Sequence, residues 1–494
     1  MKNGLRPVLP LIVVAYATLG VLYAACTPPW QVPDEPAHYN YIRALAEEGL
    51  LPVMEEGDYD QGYLQQLTEQ RFPPDMPIAA LTYEDHQPPL YYLIAAPFYL
   101  LFDGALLPLR LLSVALGTLV LLIAYGVIRT LFPNHPFLAI TATALIAFLP
   151  QHVAMTAGVN NDTLAEVALG LVLWTSIRYA TGQSEQRPTA IRLGLTLGLA
   201  LLTKTSAFVA LPVALVAVAV RAWRQGEEGP ADPREAPLCV ALGNAGWMLL
   251  AAALLAGPYL IRNVALYGWN DPLGLARHNA VVVGQLRTTD ALAQYGWPWL
   301  LERGARFTFQ SFWGQFGWMG VPLQPAVYLA LALFSALLLT GFLGWLLNPR
   351  RARLAVGQRD GLLLLTLSAV LTMASYFWYN LTFVQHQGRY LFPALIPLAL
   401  GAALGLEWLL APHTARWAAA ALAGVGVLLL VWGILQGDLA LIPTATAFGL
   451  AALVGLPLLW PAAGRWATVA WLGAGLVVLN LHALFGAIVP MLGR

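Results

Sequence analysis

The sequence predicts an all-α polytopic membrane protein, and three observations support this fold class. Of its 494 residues, 59% are hydrophobic and only 11% are charged, which is more apolar surface than a soluble chain of this length can bury. The apolar residues form runs of about 20, the length that an α-helix needs to cross a bilayer. Arginines are concentrated in alternate connections between these runs, as expected for cytoplasmic loops.

Thirteen predicted transmembrane helices account for the apolar runs. The connections 27–108 and 258–321 are long and hydrophilic, whereas the others are short. The predicted spans are 8–26, 109–131, 137–156, 163–180, 191–204, 206–223, 238–257, 322–347, 361–381, 389–410, 416–436, 439–461 and 466–488.

The apolar segment at 88–102 is short for a span, and Pro97 interrupts it. If it does not cross, thirteen arginines fall on the same side as Lys2 and Arg6. Because Lys and Arg collect in cytoplasmic loops, we predict a re-entrant or interfacial helix here, with both long connections facing outward. The thirteen residues are Arg129, Arg178, Arg187, Arg192, Arg221, Arg224, Arg234, Arg350, Arg351, Arg353, Arg359, Arg416 and Arg465.

Charge, cysteine content and the N-terminal segment argue against other classes of protein. The net charge is zero, so no nucleic-acid-binding surface is indicated. Cys26 and Cys239 fall in separate apolar segments, which favours neither a disulfide framework nor a cysteine metal site. The run at 8–26 is long for a signal core, so we interpret it as an uncleaved span.

The first long connection begins with a predicted helix over 35–48. A carboxylate and an early proline in Pro33-Asp34-Glu35-Pro36 are typical of a helix start, and Gly49 is typical of a stop. Asp34 and His38 are four residues apart, so they share one helical face. Asp34 caps this helix, supplies a carboxylate for chemistry, or does both.

Acidic, basic and amide side chains gather at the outward ends of the predicted spans. Polar groups at membrane depth cost free energy, so they are candidates for function. A carboxylate can act as a general base, and Arg or Lys can hold a phosphate. Together they predict group transfer from a lipid phosphate to an acceptor, with cations stabilising the departing phosphate. The group comprises Asp34, Glu35, His38, Asp85, His86, Asn160, Asn161, Asp162, Lys204, Arg262, Asn263, His386 and Arg389.

The order of these motifs resembles the GT-C superfamily of integral-membrane glycosyltransferases. These enzymes use polyprenyl-phosphate sugars and include the protein O-mannosyltransferases and the aminoarabinose transferase of lipid A. The resemblance covers about residues 5–410, and two of its motifs, SFWGQFGW and GRYLFPALIPLAL, are most similar to a bacterial branch. The other motifs are PDEPAHYNYIRALAEEGLLP, HQPPLYYLIAAPF, NNDTLAEVALGLVLW and GLALLTKTSAFVALP.

The resemblance implies an inverting transfer of a sugar with Asp34 as the general base. Glu35 is then a helper or a structural partner. The implied donor-phosphate ligands are His86, Lys204, Arg262 and Arg389. The side chains implied to orient the sugar or the acceptor are His38, Asn161, Asp162, Tyr91 and Trp313.

The resemblance also implies the organisation and partners of the chain. Residues 1–410 are then the catalytic membrane module, and 411–494 add further spans. The sequence departs from the family in showing no large C-terminal soluble domain for acceptor recognition, which leaves the identity of the acceptor open. The donor is a polyprenyl-phosphate-linked sugar, and the acceptor is a glycan, lipid or protein at the extracytoplasmic face of a bacterial inner membrane. No cofactor is required, although the oxygen and nitrogen donors of Asp34, Glu35, Asp162 and His86 leave a divalent cation as an alternative.

Two other functions remain open from the sequence. A transporter or flippase of a lipid-linked sugar would place charges within its spans and would show paired, interrupted halves. A non-catalytic membrane protein of envelope assembly would tolerate a neutral residue at position 34.

Overall fold

The computed structural model describes residues 8–228, 237–349 and 354–493. Its regular structure is helical apart from one antiparallel ribbon between β1 (Gln315–Phe316) and β2 (Val321–Pro322). The predicted all-α fold class is therefore confirmed. Six basic residues of the predicted charge pattern lie outside the described residues: Lys2, Arg6, Arg234, Arg350, Arg351 and Arg353.

The first part of the chain alternates long apolar helices with the short helices of the first connection. They are α1 (Val8–Cys26), α2 (Glu35–Glu48), α3 (Gln61–Glu69), α4 (Leu90–Leu101), α5 (Leu106–Leu131), α6 (Pro136–Ala147), α7 (Pro150–Thr156), α8 (Asp162–Ala180), α9 (Gln186–Leu201) and α10 (Ala210–Glu228). Helix α5 packs against α1, α6 and α8, which places it at the centre of this part.

The second part of the chain completes the membrane region and contributes the second long connection. Its helices are α11 (Pro237–Tyr267), α12 (Leu275–Val281), α13 (Thr288–Trp313), α14 (Pro325–Leu347), α15 (Val356–Asn380), α16 (Leu395–Leu409), α17 (Pro412–Gln436), α18 (Leu441–Leu459), α19 (Pro461–His482) and α20 (Val489–Leu492). Helix α18 packs on α14, and α19 packs on α6. The division of the chain at residue 410 stays a prediction.

Other helical turns join these elements. The tight turns of 3₁₀ type are Ile78–Ala80, Thr205–Val209 and Gly388–Ala394, and Ala483–Ile488 forms a π-helical segment between α19 and α20.

Ten helices within the described ranges are long and apolar enough to cross a membrane. An eleventh span arises if α6 and α7, which meet at a bend of 65°, are taken together. Helix α8, which carries Asp162, Glu166 and Arg178, is not among these ten helices, and α9 has only 16 residues. A helix occurs at each predicted span, but the number thirteen stays a prediction.

The predicted interfacial segment at 88–102 is the 12-residue helix α4. At 1.5 Å per residue it is about 18 Å long, shorter than the roughly 30 Å hydrocarbon core. It packs against α2 and α5. This length agrees with a helix that does not cross the membrane.

Helix α2 begins and ends where the sequence predicts. Pro36 lies in its first turn, where no backbone N–H is needed. Gly49 ends the helix in a left-handed conformation (φ 70°), and its N–H donates to the carbonyl of Leu45. The helix buries Tyr41 and Ile42 in the protein core, so its position is fixed by packing.

Candidate active site

Three distant stretches of the chain enclose a cavity of about 420 Å³. The first long connection, the second long connection and the segment after α15 each supply part of its wall. Polar and aromatic side chains predominate, as in sites that hold a polar ligand in a fixed orientation. The wall includes Asp34, Tyr59, Tyr83, Glu84, Arg303, Phe307, Trp318, Tyr379, His386, Gln387, Arg389 and Tyr390.

Asp34 directs its carboxylate to this cavity instead of capping α2. Its backbone is left-handed (φ 67°), and its side chain makes no capping hydrogen bond. One carboxylate oxygen accepts a hydrogen bond from the Tyr83 hydroxyl at 3.0 Å, and the other accepts one from Arg389 Nη2 at 2.5 Å. Residues in this backbone region are uncommon and concentrate at functional sites. The Asp34 side chain therefore does not cap α2.

The environment keeps Asp34 ionised at neutral pH. Burial acts to raise the pKa of its carboxyl group, but the charge and hydrogen bond of Arg389 outweigh burial and lower the pKa below its ordinary value. The Tyr83 hydroxyl lowers the pKa further. A carboxylate that stays ionised can accept a proton from a bound hydroxyl group.

Arg389 is held rigidly beside Asp34 by its neighbours. Its Nε donates to the side-chain oxygen of Gln387 at 2.7 Å. The preceding Gly388 packs directly on α13, because a Cβ there would lie 2.3 Å from the backbone nitrogen of Phe312. The Gly388 N–H also donates to Ser311 Oγ at 2.7 Å. These contacts explain why a glycine precedes the arginine.

Glu35, the neighbour of Asp34, faces the protein interior and does not line the cavity. Its side chain is fully buried and accepts two hydrogen bonds from Arg110, at 2.8 and 2.6 Å. The backbone N–H groups of Trp30 and Val159 donate to the same carboxylate. With both oxygens occupied, Glu35 joins the first connection to α5 and to the start of α8. This geometry agrees with a structural partner, not with a second catalytic acid.

The structure brings two other predicted motifs together beside the cavity. Lys204 Nζ lies 2.6 Å from Asp162 Oδ1, and Asn161 donates to the carbonyl of Thr203 at 3.1 Å. Neither Lys204 nor Asp162 lines the 420 Å³ cavity itself. Both are close enough that their charges act on the pKa of His38. The same two charges act on the pKa of Glu84 in the cavity wall, so the pair belongs to the electrostatic surroundings of the cavity.

The two histidines to which the resemblance gave roles, His38 and His86, are buried and uncharged. Burial, followed by the charge of Lys204, lowers the pKa of His38 to about 3, and its Nδ1 contacts the Tyr92 hydroxyl at 2.9 Å. Burial and the nearby His278 ring lower the pKa of His86 well below its ordinary value. His86 bonds to the carbonyl of Tyr83 and does not face the cavity, contrary to the sequence expectation. Neutral histidines cannot supply positive charge to a phosphate.

Three further predicted residues also lie away from the cavity. Arg262 donates to the carbonyls of Leu51 and Pro52, which fixes the segment after α2. The Tyr91 hydroxyl is paired with Ser113 inside the protein, at 3.0 Å. The Trp313 indole donates to Ser335 on α14, at 3.1 Å. Their side chains hold helices and loops together, and the aromatic cavity wall includes Trp318 instead of Trp313.

Sequence reasoning missed two charged residues of the cavity wall. Burial, followed by the charge of Asp34, raises the pKa of Glu84 to about 8, and its Oε2 has no hydrogen-bond partner. Arg303 makes no ion pair among the described residues, and its guanidinium carbon lies 4.3 Å from the centre of the Phe307 ring. The four-residue spacing of Arg303 and Phe307 was the available signal, since it puts both on one face of α13.

No group of three histidine, cysteine, aspartate or glutamate side chains in the described ranges could hold a metal ion. Asp34 and Glu84 are the acids of the cavity wall, and Asp34 already binds Arg389. The cations of the cavity wall are Arg303 and Arg389, and Lys204 lies close by.

Comparisons with known proteins agree with this architecture. Residues 86–227 match the family model described as dolichyl-phosphate-mannose-protein mannosyltransferase. The crystal structure of ArnT from Cupriavidus metallidurans bound to undecaprenyl phosphate is similar over 98% of this chain and 77% of that chain, with 16% identity and a TM-score of 0.54. No curated protein sequence matches the chain.

Two further solved structures show weaker similarity. Archaeal oligosaccharyltransferase AglB from Archaeoglobus fulgidus matches over 90% of this chain and 56% of that chain, at 16% identity and a TM-score of 0.42. The protein O-mannosyltransferase Pmt1-Pmt2 complex of S. cerevisiae matches over 57% of this chain and 35% of that chain, at 15% identity and a TM-score of 0.36. The ArnT structure shows that this chain shares its fold, and the family model covers three of the motifs on which the sequence resemblance to the GT-C superfamily rests.

Proposed function

We propose that this protein is a glycosyltransferase that moves a sugar from a polyprenyl-phosphate donor to an acceptor, with Asp34 as the general base. One observation carries the proposal. The Asp34 carboxylate opens on a cavity while it is paired with Arg389, a cation 355 residues away in the chain. A long-range pair of this kind at a cavity wall supplies both a base and a phosphate-binding charge.

The proposed transfer is a single displacement that inverts the anomeric carbon. Asp34 accepts the proton of the acceptor O–H or N–H group, and the freed electron pair attacks the anomeric carbon. The bond between that carbon and the phosphate oxygen breaks, and its electron pair leaves with the polyprenyl phosphate. Asp34 then releases the proton to water.

Arg389 is the phosphate ligand that the geometry favours. A guanidinium binds a phosphate through two parallel hydrogen bonds, and the donor phosphate would share Arg389 with Asp34. That sharing would weaken the hold of Arg389 on Asp34 and make the carboxylate a stronger base. Lys204, paired with Asp162 nearby, adds positive charge as the phosphate leaves. The reaction in this form needs no cofactor.

The aromatic wall suits a sugar. Tyr59, Tyr83, Trp318, Tyr379 and Tyr390 line the cavity. Aromatic faces bury the apolar face of a sugar ring, and hydroxyl and amide groups fix its polar edge. The acceptor is a glycan, a lipid or a protein. The predicted arginine distribution supports an extracytoplasmic site in a bacterial inner membrane.

The test is turnover by purified protein supplied with a panel of polyprenyl-phosphate sugars and mixed envelope acceptors. Wild type is expected to release polyprenyl phosphate, and Asp34→Asn is expected to be slower by about 10²- to 10⁴-fold. Glu48→Gln is the matched control because Glu48 is an exposed acid at the end of the same helix. The control is expected to keep wild-type turnover.

Three outcomes would replace this proposal. Absence of sugar transfer by both wild type and Asp34→Asn would favour a non-catalytic role in envelope assembly, and equal transfer by both would rule out Asp34 as the base. Movement of a labelled donor across vesicles without sugar transfer would favour a flippase.

A further inference from the structure

A second pocket lies at the C-terminal end of α8, far from the cavity that Asp34 lines. It has a volume of about 320 Å³ and lies between the last turns of α8 and the first turns of α9. From Asp162 to Arg178 the helix rises about 24 Å at 1.5 Å per residue, close to the thickness of a hydrocarbon core. This pocket therefore lies near the membrane surface opposite the proposed active site.

Two unpaired arginines line this pocket. Arg178 is on α8 and Arg192 is on α9, and both are exposed. Neither side chain forms an ion pair or a hydrogen bond with any described residue, although Arg224, elsewhere at a helix end, pairs with Asp360. Glu185, the acid on the α8–α9 connection, pairs with neither of them. Two neighbouring positive charges are thus left for an external anion.

Hydroxyl groups and an apolar wall complete the pocket. Ser184 Oγ accepts a hydrogen bond from Thr189 at 2.9 Å, and its own proton remains available to a ligand. Trp174 and Leu195 form the apolar side, and Leu195 is 42% exposed. The pocket therefore offers positive charge and a hydroxyl donor beside a surface suited to an acyl chain.

We infer that this pocket binds the phosphate headgroup of an anionic phospholipid in the leaflet opposite the active site. Arginine binds phosphate oxygens through paired hydrogen bonds, and basic pockets between transmembrane helices hold lipid headgroups. The apolar wall favours a lipid over a free anion, because acyl chains can cover Trp174 and Leu195.

The test is native mass spectrometry of the full chain in detergent, titrated with phosphatidylglycerol and with phosphatidylcholine of the same acyl chains. Wild type is expected to bind phosphatidylglycerol more tightly. Each of Arg178→Gln and Arg192→Gln is expected to weaken that binding about fivefold, and the double variant about 25-fold. Arg416→Gln is the matched control, since Arg416 is an exposed arginine at the start of α17 outside the pocket, and its binding should equal wild type.

Two further measurements test whether charge alone is enough for binding and whether the ligand is a lipid or a free anion. The double variant Arg178→Lys and Arg192→Lys keeps the charge and should bind between wild type and the glutamine variant. Equal binding of the two lipids by wild type, or an unchanged double glutamine variant, would overturn the inference. Inorganic phosphate should displace phosphatidylglycerol no better than chloride at equal ionic strength. Stronger displacement by phosphate would mean a free-anion site and overturn the lipid assignment. None of these readouts depends on sugar transfer.

Discussion

Asp34 and Glu35 are adjacent in sequence, yet they occupy opposite kinds of environment. Glu35 is fully buried, and its carboxylate is satisfied by Arg110 and two backbone N–H groups. Asp34 keeps 23% of its side chain exposed, sits on a left-handed backbone, and shares the cavity wall with Arg389. A buried, saturated ion pair fixes structure, whereas a partly open pair can exchange its partner for a substrate. The proposed base and a structural carboxylate are thus neighbours in the sequence, at positions 34 and 35.

The largest expected effect comes from breaking the buried pair. Arg110→Gln leaves the Glu35 carboxylate buried without its cation, so the free energy of unfolding should fall by about 3–5 kcal/mol. Chemical or thermal unfolding of the purified protein in detergent measures the loss. The double variant Arg110→Gln and Glu35→Gln carries no unpaired buried charge, so it should recover part of the lost unfolding free energy. A loss below about 1 kcal/mol would contradict a structural role for this pair.

Arg389→Gln should affect activity far more than stability. The variant removes one partner of a pair that water reaches, and it removes the proposed phosphate ligand. Turnover is therefore expected to fall about 10²- to 10³-fold, as when one charge-stabilising donor is removed. Steady-state kinetics with a polyprenyl-phosphate sugar measure this, and unfolding under the conditions used for Arg110→Gln provides the control. If Arg389→Gln lost as much unfolding free energy as Arg110→Gln, the Asp34–Arg389 pair would be structural like the Glu35–Arg110 pair, contrary to this prediction.

Tyr83→Phe should change the pH dependence of the reaction. The Tyr83 hydroxyl donates to Asp34 and stabilises its ionised form, so its loss raises the pKa of Asp34. A hydrogen bond to a charged group contributes about 1.5–3 kcal/mol, which moves the acid limb upward by about one to two pH units. The measurement is kcat/KM against pH. Tyr63→Phe is the control, since Tyr63 is half-buried outside the cavity wall and its hydroxyl donates to the carbonyl of Pro77. If the acid limb of the kcat/KM profile did not shift in Tyr83→Phe, the Tyr83 hydroxyl would not control the pKa of the catalytic base.

The difference between neighbouring acids also marks the limit of sequence reasoning. Runs of apolar residues predicted the helices, and Pro36 and Gly49 predicted both ends of α2, because these signals act over one turn of chain. The direction of a side chain depends on partners that are distant in sequence. Arg110, which neutralises Glu35, lies inside an apolar helix and carries no local motif. His86 and Arg262 belong to motifs that resemble a family, yet their bonds go to backbone carbonyls.

The smallest expected effect concerns the ionisation of Glu84, which differs from that of Asp34, the other carboxylate of the cavity wall. The pKa of Glu84 is raised to about 8 by burial and then by the charge of Asp34. Its contribution to stability is therefore complete below the unfolded pKa of about 4.5 and is lost as pH rises through about 8. Glu84→Gln cannot ionise, so its unfolding free energy should fall less steeply with pH than that of wild type between about pH 5 and 8. The difference in slope is at most about 1.4 kcal/mol per pH unit, the value for one proton.

Asp85 is the internal control for this measurement. Burial raises the pKa of Asp85 to about 8 as well, so a residual slope in the same pH window should survive in Glu84→Gln. Asp85→Asn should remove that residual slope. Because Asp85 does not line the cavity, it should leave the pH profile of sugar transfer unchanged. Identical slopes for wild type and Glu84→Gln would mean that Glu84 is ionised beside Asp34. The cavity would then hold two negative charges, and a phosphate would bind there only against their repulsion.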